Sequence, residues 1–175
     1  MSNIWFRLMA LEFKIRDHRR PRQEIVSEVE LKTGFQVLDY GCGPGGYVLA
    51  VSEAIGSSGK LYALDALPIA VEMVNKIVAK NELKNVETIL SDCATGLPDE
   101  DLDAVLLYDV FHDLDDQVAV LNEVYRVLKP NGQLSFSDHH MKENEITSQV
   151  ASTGLFKLQK KGKHTYSFAK QEVGN

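Results

Sequence analysis

From residue 35 onward the chain alternates short apolar runs with amphipathic stretches. Val37–Tyr40 is the first run. After a glycine-rich turn comes Tyr47–Ile55, whose spacing predicts a helix closed by Gly56. Leu61–Asp65 reads as a second strand. Pro68 then opens a helix in which Ala70, Met73, Val74 and Ile77 recur on one face. Val86–Leu90 predicts a third strand. Asp103–Asp109, reading DAVLLYD, predicts a fourth, and its near-continuous apolar run suits a central parallel strand covered on both faces. A helix over 116–128 turns Leu121, Val124, Tyr125 and Leu128 inward, and Lys129-Pro130-Asn131-Gly132 ends it before a fifth strand, Gln133–Ser137.

The end of the chain breaks the alternation. After a short helix over 143–152, two β-patterned runs, Leu155–Gln159 and Thr165–Lys170, flank a tight turn through Lys161-Gly162-Lys163. That is a hairpin, so the last strand must run antiparallel to its neighbour. The expected fold is α/β, a Rossmann-like, doubly wound seven-stranded sheet whose last strand is antiparallel. Residues 1–32 form an N-terminal helical lid segment before a main domain over 33–175.

Between the first strand and its helix lies Asp39-Tyr40-Gly41-Cys42-Gly43-Pro44-Gly45-Gly46. Glycine lets the backbone turn sharply and approach a ligand closely. A helix starting after such a turn aims free N–H groups at what the turn cradles. Gly41, Gly43 and Gly46 meet the dinucleotide spacing, but that pattern alone has little specificity. Asp39 discriminates: it stands two positions before the first glycine, where a dinucleotide loop has an apolar residue inside the strand. Asp65, ending the second strand, is the carboxylate that either kind of cofactor would set on its ribose hydroxyls.

DYGCGPGG, ALDA at 63–66, SDCATGLP at 91–98, LLYDVFHDL at 106–114 and VLKPNGQLSFSDHH at 127–140 together resemble class I S-adenosylmethionine-dependent methyltransferases. The similarity is greatest to the small "type 11" branch that includes the ubiquinone/menaquinone-biosynthesis enzymes, and it covers about residues 33–171. It implies S-adenosyl-L-methionine as cofactor and a seven-stranded sheet with an antiparallel last strand. By the same resemblance Asp39 orders the loop and the methionine ammonium, Gly41, Cys42 and Gly43 supply backbone around the methionine part, and Tyr40 beside them counts among the cofactor-binding positions. Asp65 accepts from the ribose, and Ala66 and Leu67 wall the adenine. Asp92 accepts from the adenine amino group and Cys93 offers its backbone N–H to the ring. Tyr108 and Asp109 lie where the methionine carboxylate and the methyl group point.

Methyl transfer from a sulfonium is an in-line displacement on an activated carbon, so alignment of the acceptor supplies most of the acceleration. A base is needed only where the acceptor must lose a proton early. Asp109, His112 and Asp113 follow the fourth strand; Asp138, His139 and His140 follow the fifth. His112 and His139 are the candidate bases, because imidazole titrates near neutral pH, with Asp109 beside the methyl group. Asp109, Asp138 and His139 also stand roughly where catechol-type methyltransferases hold a divalent metal. The surrounding motifs do not resemble that branch, and no metal is expected.

Charge and composition narrow the partners. The chain has 175 residues, a net charge of −6 and 44% hydrophobic content, which fit one globular domain. Residues 33–156 hold seven Lys/Arg against nineteen Asp/Glu, an acidic body that disfavours nucleic acid. The acidic mouth favours a neutral or amine small-molecule acceptor. The basic cluster Lys14, Arg16, Arg19, Arg20, Arg22 is the one place for a phosphate-bearing partner, and reads more simply as a solvated helix end. No apolar run approaches the roughly 20 residues of a membrane span. Arg7 and Glu12 interrupt the N-terminal Trp5, Phe6, Leu8 and Met9, so a signal peptide is not expected and the cytoplasm is the expected compartment. Cys42 and Cys93 lack metal-ligand spacing and read as small buried thiols. The short lid, whose Trp5, Phe6, Met9 and Phe13 could line an acceptor pocket, implies an open site, one completed by a second subunit in a homodimer, or a large acceptor. Two other functions fit parts of the pattern: a cofactor-binding regulatory module without turnover of its own, and an NAD(P)-dependent oxidoreductase. Asp39, the SDC segment and the terminal hairpin disfavour the oxidoreductase.

Overall fold

The computed structural model describes residues 22–171. Trp5, Phe6, Met9 and Phe13, and the basic residues from Lys14 to Arg20, lie outside them. The strands are β1 (Gln36–Tyr40), β2 (Lys60–Asp65), β3 (Val86–Leu90), β4 (Leu102–Tyr108), β5 (Leu128–Ser137), β6 (Phe156–Lys161) and β7 (Tyr166–Lys170). The helices are α1 (Arg22–Ser27), α2 (Val48–Ile55), α3 (Pro68–Lys80), α4 (Gln117–Val127) and α5 (Glu143–Ser152), with a 3-10 turn at Phe111–Asp113.

One sheet contains all seven strands in the order β3-β2-β1-β4-β5-β7-β6. β1 to β5 are parallel, and β7 enters between β5 and β6, antiparallel to both. The doubly wound sheet with its terminal hairpin is therefore as the alternation of patterns predicts. Parallel neighbours need crossovers, and the helices that supply them cover both faces.

Strand alternation sorts the core into two halves. Leu38, Tyr40, Val105, Leu107, Leu134 and Phe136 face α4 and α5 on one side. Val37, Leu61, Ala63, Ala104 and Leu106 face α1, α2 and α3 on the other. Each fully buried Leu, Ile, Val or Phe contributes roughly 1.5–3 kcal/mol. The exposed edge, β6, carries Lys157, Lys160 and Lys161, which discourage pairing with another chain.

The Lys129–Gly132 segment departs from expectation. It is not a turn between helix and strand: α4 ends at Val127, and Leu128 already pairs with Leu102. The ladder then jumps to Gln133 opposite Ala104, so Lys129–Gly132 is a bulge within β5. Pro130 is tolerated there because a bulged residue owes no N–H to the ladder.

Parallel strands deliver their carboxyl ends to one edge, and the order reverses between β1 and β4. The crevice at that switch point holds the candidate site.

Candidate active site

The crevice has a volume of about 320 Å³ and is walled by the segments following β1, β2, β3 and β4. Asp39, Tyr40, Gly41, Cys42 and Gly43 reach it from β1; Asp65, Ala66 and Leu67 from β2; Asp92 from β3; Tyr108 and Asp109 from β4. Cys93 lies outside that lining, and its backbone N–H points at Ser91 Oγ, 3.3 Å away.

Asp65 organises the loop. Its carboxylate accepts from Gly43 N at 2.8 Å and from Leu67 N at 2.9 Å. Burial raises its pKa, opposed by hydrogen bonds from the Leu67, Gly43 and Ala66 amides. Gly43 adopts φ +50, and a Cβ there would meet no protein atom within 4 Å, so the loop leaves open space beside it.

Asp39 is the anomaly of the site. It is 2% exposed, and its Oδ2 has no hydrogen-bond partner among the described residues. Burial pushes its pKa up to about 7, with Arg22 opposing and Asp65 adding to the rise. A desolvated acceptor without a donor is costly. Here it faces a crevice, where a ligand cation would satisfy it.

Arg22 lines the crevice too, its guanidinium 4.4 Å from the centre of the Tyr47 ring. Tyr47 in turn meets Tyr108 edge-on at 5.0 Å, and Tyr108 shares a 2.7 Å hydrogen bond with Ser135. The sequence places Arg22 in a solvated basic run, and nothing in its neighbours marks it as a site residue. Only the packing of α1 reveals it.

The far wall is held from behind. Tyr40 donates from its hydroxyl to the carbonyls of Asp92 and Cys93, at 3.1 and 3.2 Å. Glu123 on α4 accepts from Thr95 N at 2.8 Å and Thr95 Oγ1 at 2.6 Å while pairing with Arg126. The Arg126 hydrogen bond, the largest cause, holds the Glu123 carboxyl down at about 2. These contacts fix the loop carrying Asp92.

At the ends of β4 and β5 two Asp–His pairs cross. Asp138, its side chain fully buried, accepts from His112 Nδ1 at 2.8 Å. Asp109 accepts from His139 Nδ1 at 2.7 Å and from the His139 backbone N–H at 3.0 Å. Each imidazole thus pairs with the carboxylate from the neighbouring strand. Asp109 takes φ +53, unusual for a non-glycine residue, and its N–H bonds Ser137 O at 2.7 Å. Such strain persists where surrounding contacts enforce it. The His112 ring is 24% exposed, with Nε2 3.4 Å from Asp113 Oδ2; His139 is 40% exposed. The His140 ring lies 3.8 Å from that of His139 and 4.2 Å from that of His112, completing a histidine group beside the crevice.

One oxygen from each of Asp109 and Asp138 and one nitrogen of His139 lie within 4.8 Å of one another. Two carboxylates and an imidazole are donors a divalent transition metal accepts. Both carboxylates, however, already serve an imidazole.

The methyltransferase domain family matches residues 31–172. Demethylmenaquinone methyltransferase from Geobacillus sp. (strain WCH70) is 30% identical over 120 residues, 68% of this chain and 51% of that protein. The enzyme of the same name from Listeria monocytogenes serotype 4a is 32% identical over 130 residues, 74% of this chain and 54% of that protein. The chain thus spans about half the length of these relatives. A solved SAM-dependent methyltransferase from Aquifex aeolicus superposes with a TM-score of 0.76 at 27% identity, covering 85% of this chain and 88% of that one. The unpartnered Asp39 oxygen and the open space at Gly43 suit the ammonium and the backbone of an amino-acid cofactor end. The chain belongs to the methyltransferase domain family, and its cofactor is S-adenosyl-L-methionine.

Proposed function

We propose that the chain methylates a protic small molecule, with an Asp–His pair at the strand ends taking the acceptor's proton. When bound, S-adenosylmethionine supplies a methyl group already activated by its sulfonium. The protein must then hold the cofactor, orient the acceptor and manage one proton.

Asp39 would take the cofactor's ammonium and Arg22 its carboxylate, two opposite charges for a zwitterionic end. Asp65 would accept from the ribose through the lone pairs that Gly43 N and Leu67 N leave over. Ala66 and Leu67 would wall the adenine, and Asp92 would accept from its amino group. Tyr108 and Asp109 would border the sulfonium end.

The observation that carries the proton-transfer step is the 2.8 Å pair of His112 Nδ1 with the buried Asp138 carboxylate. Donation from Nδ1 leaves Nε2 as the basic nitrogen. Once protonated, Nε2–H would face Asp113 Oδ2 at 3.4 Å, so the imidazolium has carboxylates on both sides. His139 with Asp109 repeats the arrangement at a more exposed position.

The relatives' name makes reduced demethylmenaquinone the acceptor to try first. Removing a proton from a ring hydroxyl raises electron density on the adjacent ring carbons, which is the task the pair suits. A homodimer completing the acceptor side, acting in the cytoplasm, belongs to the same reading; equilibrium sedimentation tests the dimer.

The test is transfer of radiolabelled methyl to reduced demethylmenaquinone and to a panel of small phenols and amines. Wild-type protein should label at least one class. His112→Ala should lose about 10²–10⁴-fold in kcat while binding S-adenosylhomocysteine as tightly as wild type. Equal loss of turnover and binding would make His112 a structural residue, and no labelling of any acceptor would leave a cofactor-binding module.

A further inference from the structure

α1 has six residues, too few to hold its own conformation in water. Its apolar side, Ile25 and Val26 followed by Val29, packs into the cluster with Val48 and Val51. Apolar contact is non-directional, so it does not by itself fix where the polar end of α1 points. Directional contacts come from Glu28 in the turn after α1. Its carboxylate accepts from Thr165 N at 3.0 Å, Thr165 Oγ1 at 2.8 Å and His164 N at 3.1 Å. Those donors form the turn of the β6–β7 hairpin, far along the sequence. Val29 O accepts from Gln133 Nε2 on β5 as a second peg.

Other contacts between this region and the hairpin are of a different kind. Glu30 with Lys160 and Glu24 with Lys163 are exposed ion pairs, which solvent screens and side-chain entropy weakens. Glu28 brings a formal charge to backbone donors in a half-buried turn, where the bond is stronger and its loss strands the donors. Two glycines clear the way at opposite ends. A Cβ on Gly162 would run into the Glu28 carboxylate, and one on Gly46 would run into the Arg22 guanidinium.

We propose that Glu28 is a positioning residue for cofactor binding: clamped by the hairpin turn, it sets α1 so that Arg22 lies over Tyr47 and faces the carboxylate of the cofactor's amino-acid end. The inference rests on the placement of that end between Asp39 and Arg22. The terminal hairpin, remote from the crevice in sequence, thereby controls affinity for one end of the ligand.

The test compares two ligands by calorimetry. S-adenosylhomocysteine carries the amino-acid end; 5′-methylthioadenosine keeps the adenosine and thioether without it. Arg22→Ala should weaken S-adenosylhomocysteine about 10- to 100-fold, the loss of a charged hydrogen bond, and leave 5′-methylthioadenosine unchanged. Glu28→Ala should show the same split at about three- to tenfold, with Glu28→Gln in between. The double variant should bind no more weakly than Arg22→Ala, because both changes remove one contact. Unchanged S-adenosylhomocysteine affinity in Glu28→Ala, parallel loss of both ligands, or additive losses in the double variant would overturn the proposal. If Arg22→Ala itself binds normally, the placement beneath the proposal fails instead. Should Glu28→Ala not fold, Thr165→Val removes one donor and must give the same split at smaller amplitude.

Discussion

Two halves of the site, the β1–β2 side of the crevice and the β4–β5 strand ends beside it, are built by different means. In the β1–β2 half Asp65 is held by backbone amides, and Asp39 is buried in the strand end. The β4–β5 half also holds its carboxylates with backbone N–H groups, His112 and His140 on Asp138 and His139 on Asp109, but adds to each a paired imidazole that stays partly exposed. Backbone amides cannot move without moving the loop, so the first half suits a ligand that never changes. Paired side chains can rotate and exchange protons, so the second suits chemistry. The unpartnered Asp39 oxygen belongs to the rigid half, where the proposed function sets a ligand charge against it.

Asp39→Asn breaks this contrast hardest. It should weaken S-adenosylhomocysteine about 10- to 150-fold, from loss of a charge-assisted bond. It should also raise the melting temperature of the ligand-free protein, because a buried charge without a donor is removed. Calorimetry and thermal melts of the one variant read both effects. Loss of affinity together with loss of stability would mean that Asp39 holds the loop rather than the ligand.

The pH dependence comes next in size. Asp39 has its pKa pushed from 3.8 up to about 7. Between those values the native state keeps a proton that the unfolded chain has released. This carboxyl therefore removes stability from the ligand-free protein as pH rises through that window. The ligand's ammonium needs the ionised form, so affinity should rise about tenfold from pH 6 to pH 8 while ligand-free stability falls. Asp39→Asn should flatten both trends. A wild-type affinity independent of pH would remove Asp39 from the ammonium site.

The smallest expected effect sharpens the other half. With both Asp109 and Asp138 already engaged by imidazoles, turnover should survive EDTA. Zinc or manganese should leave the melting temperature unchanged. Metal-dependent turnover or a clear thermal shift would recast Asp109, Asp138 and His139 as ligands.

Much of this was legible in the chain. β3 has the expected bounds, and the terminal hairpin followed from two β-patterned runs around Gly162. The Lys129–Gly132 bulge was not legible, because Pro and Gly mark a turn and a bulge alike and only the Leu102–Leu128 pairing separates them. The sequence brought two Asp/His groups to neighbouring strand ends. It could not show that each histidine takes the other strand's carboxylate, which depends on the φ of Asp109 and the closeness of the strands. Arg22 and Glu28 were hidden for a related reason: a charged residue on a short helix, or in the turn after it, gets its contacts from where that helix docks.

The central claim is that the crevice is made for S-adenosylmethionine, and thermal melts with S-adenosylhomocysteine, NAD⁺ and NADP⁺ test it most directly. A ligand at 100 times its dissociation constant adds about 2.7 kcal/mol of stability, roughly 5–10 °C for a domain of this size. Stabilisation of that order by S-adenosylhomocysteine, with neither dinucleotide shifting the transition, is the predicted result. Stabilisation by a dinucleotide, or by none of the three, would contradict it.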